Sequence, residues 1–111
     1  MADLVASGLW WGLVTETGLF ERVLRLLRER VRDRRFVMTV HAEEEMDEDG
    51  LTVFDLERCI LSGKIVERQK DREAGDWKYL VRGATLADEE AIVVCKMSPT
   101  SKVVLITVYR V

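Results

Sequence analysis

The sequence predicts an α+β domain, with N-terminal helices packed on one face of a curved four-stranded antiparallel β-sheet. Three observations carry that prediction. Apolar residues recur at helical spacing as far as Gly63, the pattern after it is extended, and the links between the extended runs are too short for crossovers. With 111 residues, 48% of them hydrophobic, the chain can bury one ordinary core. We therefore expect a single domain over 17–111, preceded by a flexible or partner-binding extension over 1–16.

From Thr17 to about Arg34, Phe20, Val23, Leu24, Leu27 and Val31 share one helical face, and Arg22, Arg25, Glu29 and Arg32 share the other. The basic side is either a solvated face or a phosphate-binding stripe. Before it, Met1 to Val14 is apolar, but Asp3 precedes the run, no basic residue opens it, and Gly8 and Gly12 interrupt it. It makes a poor signal peptide and falls short of the ~20 apolar residues of a membrane span. Trp10 and Trp11 give it a candidate docking role. A short helix is expected from about His41 to Glu48, with Ala42 and Met46 inward and Gly50 after its end. The next opens on a stronger signal: Thr52 caps, Asp55 stands at N3, and Leu51 reaches Leu56 as a staple. It runs through Val53, Leu56, Cys59 and Ile60 to Ser62, and Gly63 closes it.

Lys64–Lys70, Asp76–Ala84, Ala91–Met97 and Lys102–Arg110 are rich in β-branched, aromatic and aliphatic residues and form the four strands of a meander. Pro99 suits the turn of the last link. Apolar continuity marks Ala91–Cys95 and Val103–Val108 as central and covered on both faces. Strict alternation puts Trp77, Tyr79 and Val81 on one face, and Lys78, Leu80 and Arg82 on the other. In the last strand it groups Leu105, Thr107 and Tyr109 against Ile106, Val108 and Arg110.

The net charge of −3 hides an asymmetry: seven arginines crowd Arg22–Arg35, and acidic residues crowd Glu43–Asp49. Net charge therefore argues neither for nor against nucleic acid. Cys59 and Cys95 stand alone in apolar surroundings and read as buried free thiols of a reducing compartment. Beside the acidic run stands the only histidine, His41. Unperturbed imidazole titrates near pH ~6.5, so His41 is the first candidate for acid–base chemistry, the alternative being a hydrogen-bonded structural residue. Glu45, four residues on, shares its helix face. Lys78, Arg82, Lys96 and Tyr109, projecting from neighbouring strands toward the helix that starts with His41, would complete a cationic pocket. Taken singly, each reads as a solvated strand residue or an aromatic with a wet tip. Metal binding by His41 with Glu44 or Glu45 lacks the second histidine or cysteines such sites use, so no metal or cofactor is expected.

Thr39-Val40-His41-Ala42-Glu43-Glu44-Glu45-Met46, Leu51-Thr52-x-x-Asp55, Ile65-x-Glu67, Tyr79-Leu80-Val81-x-Gly83 and Val103-x-x-Ile106-Thr107-Val108-Tyr109 together resemble the domain-of-unknown-function family DUF4258, over about Phe36 to Val111. The His-Ala start and the terminal Ile-Thr-Val-Tyr are the more specific parts. That family looks like a branch of the small bacterial toxins of the barnase–EndoU–colicin–RelE type, close in outline to MqsR-like messenger interferases. The resemblance implies a RelE/barnase-like fold and a cytoplasmic toxin of a type II toxin–antitoxin module, acting as a metal-independent endoribonuclease. Its implied partners are RNA, free or on the ribosome, and a cognate antitoxin of the YgiT or MqsA zinc-finger type, with no membrane involved. For such cleavage His41 serves as acid or base and Tyr109 as a positioning or relay hydroxyl. Lys96, Lys78, Arg82 and Arg68 are the candidate phosphate and transition-state contacts. Where relatives carry basic residues after the His-Ala pair, this chain has Glu45 and Asp49. Either the acidic helix faces a basic antitoxin, or a carboxylate orients His41. The competing reading is a non-catalytic toxin-like protein that binds a partner through its acidic helix and N-terminal region.

Overall fold

The computed structural model describes the backbone of residues 9–111 and the side chains of residues 18–111. Its elements are α1 (Leu9–Arg32), β1 (Phe36–Met38), α2 (Val40–Asp49), α3 (Val53–Ser62), β2 (Lys64–Asp71), β3 (Asp76–Ala84), β4 (Glu90–Met97) and β5 (Val103–Arg110). In α1 the expected apolar face is the inward one: Leu27 and Val31 are fully buried, and Phe20, Val23 and Leu24 pack beside them. The helix starts at Leu9, eight residues before Thr17, so much of the expected extension is helical. Residues 1–8 and the side chains of Trp10 and Trp11 lie outside the described residues. Arg34 ends the turn after α1 at φ 56, and Arg35 N–H closes on Arg30 O at 2.8 Å, which reverses the chain into β1.

The sheet has five strands in the order β1-β5-β4-β3-β2, not four, and it is mixed. β1 runs parallel to β5, with Phe36 beside Val103 and Met38 beside Leu105; the other pairings are antiparallel. Three residues are too few to show a period, which is why β1 is invisible to sequence pattern. β4 and β5 are interior strands as expected, but the helices cover one face only. On that face Val81, Val93, Cys95, Val103, Leu105 and Val108 meet Leu27, Val31, Ala42, Met46, Leu56, Cys59 and Ile60 in one buried core. No described helix packs against the opposite face.

Two bulges break the strict alternation. In β5, Thr107 pairs with Val94 and Leu105 with Cys95, so Ile106 is the extra residue. Leu105 and Val108 both point into the core, and Tyr109, opposite Ile92, turns to the helix-free face. Without the bulge Tyr109 would share the face of Leu105. In β2, Ile65 pairs with Val81 and Glu67 with Leu80, so Val66 is extra and Arg68 and Lys70 move to the helix side.

α3 lies close on β3. A Cβ on Gly83 would overlap the Cys59 carbonyl, and one on Gly63 would overlap both Cys59 O and Arg82 O. Only glycine admits this approach. No described helix is long and apolar enough to cross a membrane.

Candidate active site

β1 stops at Met38 while β5 runs on to Arg110, which leaves the backbone groups of Ile106–Arg110 facing an open edge. α2 fills that edge, and side chains replace the missing strand. Thr39 is the N-cap of α2, at φ −72 and ψ 158. Its hydroxyl accepts the Ala42 N–H at 3.1 Å and donates to Ile106 O at 3.0 Å, while its own N–H reaches Leu105 O at 3.0 Å. The bulge at Ile106 is what offers two consecutive carbonyls to one threonine. One turn further, Glu45 Oε1 accepts the Val108 N–H at 3.1 Å. Burying Ala42 and Met46 beneath this helix fixes its rotation.

That rotation decides where His41 goes. Its Nε2 lies 3.3 Å from Glu45 Oε1, the same oxygen that holds the Val108 N–H. The imidazole is 65% exposed and the carboxylate only 24%. His41 is thus an accessible ring within ion-pair range of a carboxylate that is itself bonded to the sheet, and an exposed imidazole is a group that can take and return a proton. Of the two sequence expectations for the acidic residues after His41, the orienting carboxylate has Glu45 at this distance, with no hydrogen bond to the ring.

Beside it, the helix-free face collects residues from three strands. Arg82, Ile92 and Tyr109 form one cross-sheet row, and Leu80, Val94 and Thr107 the next. Arg82 and Tyr109 stand two inter-strand steps apart, roughly 10 Å. Lys78 projects from the same face, as does Lys96, opposite Val104. These groups therefore do not point toward α2, as the sequence suggested; α2 sits at their edge. Arg82 is hydrogen-bonded to Glu90 Oε2 at 2.6 Å, and that bond, with the carboxylate's charge, raises its already high pKa. Lys96 sits between Asp71, at 3.3 Å, and Asp76, at 3.5 Å. Partial burial works against its charge, but the Asp71 hydrogen bond and the two carboxylates outweigh it and hold the ammonium above the ordinary lysine value. Lys96 is therefore a fixed charge in a locally acidic group rather than a proton donor. Lys78 has no carboxylate partner among the described residues. Arg68 lies on the other face of the sheet, 4.3 Å over the Trp77 ring. Of the six expected site residues, Tyr109, Arg82, Lys78 and Lys96 share the helix-free face, with Lys78 four residues along β3 from Arg82; His41 stands on α2 at the β5 edge, and Arg68 lies on the other face.

A family model, Domain of unknown function (DUF4258), matches residues 38–110. The chain belongs to this family. The DUF4258 region starts at the end of β1 and so includes the whole α2–β5 edge, with Thr39, His41, Glu45 and Tyr109. A search of curated proteins and a search of solved structures returned no match. Thr39 went unnoticed in the sequence as a cap; its signal was a threonine three residues before the inward Ala42 at the DUF4258 start. The bulges carried no such signal.

Proposed function

We propose that this DUF4258 protein is a metal-independent endoribonuclease of the toxin type, with His41 as its acid–base group. The observation that supports the reading most is the His41–Glu45–Val108 arrangement, because it sets an exposed imidazole at the edge of β5, the strand whose helix-free face carries Tyr109 in one row with Arg82. In the reaction, a base takes the 2′-OH proton, the 2′-oxygen attacks phosphorus, and the P–O5′ bond breaks as an acid protonates the leaving oxygen. His41 acts as base or acid, and Tyr109 positions or relays the second proton. Lys78 and the Arg82 nitrogens that Glu90 does not engage stabilise the charge that grows on the phosphorane. The partner is a cognate antitoxin, of the zinc-finger kind that the family resemblance implies.

A second reading is favoured by the ion pairs. Arg82 and Lys96, two of the cations a phosphate would need, are already neutralised by Glu90, Asp71 and Asp76. A non-catalytic toxin-like module that binds a protein partner has no need of free cations there. The two readings separate in one experiment: purified protein in EDTA is given mixed messenger RNA, free and on translating ribosomes, beside a folded His41→Ala variant. The ribonuclease reading predicts cleavage by the wild type and a loss of about 10²-fold or more in the variant. Silence in both, from protein shown to be folded, overturns it in favour of the binding module.

A further inference from the structure

The bulge at Val66 sorts the charges of the β2–β3 hairpin onto two faces. The helix-free face receives Glu67, paired across the strands with Leu80, and the Asp71–Lys96–Asp76 cluster. The other face receives Arg68 opposite Tyr79 and Lys70 opposite Trp77. Arg68 Cζ lies 4.3 Å and Lys70 Nζ 5.0 Å from the centroid of the Trp77 ring, and Trp77 is 37% exposed. Among the described residues neither cation has a carboxylate partner, whereas Arg34, Arg58, Arg82 and Arg110 each have one and Lys96 has two.

Two unneutralised cations alternating with an accessible indole along one strand pair is the chemistry that holds single-stranded polynucleotide: the cations take phosphates and a base stacks on the ring. An exposed cation–π contact is weak enough for a base to displace. An acidic protein surface could engage the same cations and indole, and a polyglutamate probe tells the two occupants apart. We infer that Arg68, Lys70 and Trp77 form a second binding site, for single-stranded RNA, on the face of the hairpin opposite the candidate active site. It deepens the ribonuclease reading and rests on it for the choice of RNA. β2 is the last strand of the sheet, so a strand leaving the helix-free face can turn over this edge to reach Trp77.

The test uses the full chain with Trp10→Phe and Trp11→Phe, which leaves Trp77 as the only tryptophan of the three. The probe is a 2′-O-methyl oligouridylate, which cannot be cut through a 2′-OH, so that binding is read apart from catalysis. Saturable quenching of Trp77 fluorescence is expected. Arg68→Gln with Lys70→Gln, folded by circular dichroism, should weaken it about 10-fold or more and flatten the slope of log K against log salt by about 1.4. Trp77→Ala in the natural sequence should lower affinity by about 5- to 100-fold in a filter-binding assay. No quenching at low salt, quenching indifferent to the double variant, or a response to polyglutamate but not to the oligouridylate each overturns the proposal. Cleavage of ordinary RNA by the same protein, scored alongside, keeps the two questions apart: cutting without quenching rejects this site alone, and quenching without cutting rejects the ribonuclease alone.

Discussion

Glu45 is the residue on which most of the local geometry depends, since one oxygen serves both His41 and the Val108 N–H. Glu45→Gln keeps an oxygen for the Val108 N–H but loses the charge beside the imidazole. Single-turnover cleavage should fall by about tenfold or more, with urea stability nearly unchanged. Glu45→Ala removes the β5 bond as well and should cost about 1–3 kcal/mol in the same denaturation. The cysteines play a quieter part. Burial pushes the Cys59 thiol up to about 11 and Cys95 to about 12. Both should ignore a thiol reagent in the native state and react on unfolding. Their folded values exceed the unfolded ~8.5, so the unfolded chain loses protons first and stability should fall as pH rises from about 8.5 toward 11. His41 was legible in the sequence because it is the one imidazole, and Glu45 because four residues make a helical turn. The face of Tyr109 was not legible: a single extra residue reverses it, and Ile106 looks like any other residue of an apolar strand.

Among the elements, the best-announced was α3. Its capping box is present as expected, with Thr52 N–H donating to Asp55 Oδ2 at 2.8 Å and Thr52 Oγ1 accepting the Asp55 N–H at 3.4 Å. The free carboxylate oxygen accepts the Leu86 N–H at 2.9 Å, so the cap also pins the β3–β4 loop. The Thr52 N–H lowers the Asp55 pKa, against an opposing effect of burial and with help from Leu86 N–H and the Thr52 hydroxyl. A folded value below the unfolded ~3.9 means that this stabilisation is present above about pH 4 and lost as pH falls through the folded value. Asp55→Asn should therefore destabilise at pH 7, and thermal melts of variant and wild type should converge toward pH 2. Gly83→Ala, which drives a methyl into the Cys59 carbonyl, should lower stability by about 1–3 kcal/mol or more. Strand positions in β2 to β5 were legible to within a residue, because period and turn chemistry agree there. β1 was not, since its pairing with β5 is set by the whole chain rather than by its own three residues.

Across the whole molecule, charge is divided between two helices. Arg22, Arg25 and Arg32 stand exposed on α1, and Glu43, Glu44, Asp47 and Glu48 stand exposed on α2, next to His41. Under the ribonuclease proposal, an anionic strand would be repelled from the α2 side and would approach His41 across the helix-free face, from Arg82 and Lys78. Asp47→Asn with Glu48→Gln, neither of which takes part in the His41–Glu45 contact, should raise RNA affinity several-fold at low salt, and the gain should vanish above about 0.5 M salt. This polarity was visible in the sequence as two opposed runs, but the face each run occupies depends on how α1 and α2 pack. The central claim, that His41 performs transesterification through the RNA 2′-OH, is met most directly by the chemical ends of the products. A short RNA cut in EDTA by the wild type should carry a 2′,3′-cyclic phosphate or 3′-phosphate on one fragment and a 5′-hydroxyl on the other, with the same products formed by His41→Ala at a rate lower by about 10²-fold or more. Fragments with 5′-phosphate ends, or the same fragments from the variant at the same rate, would contradict it.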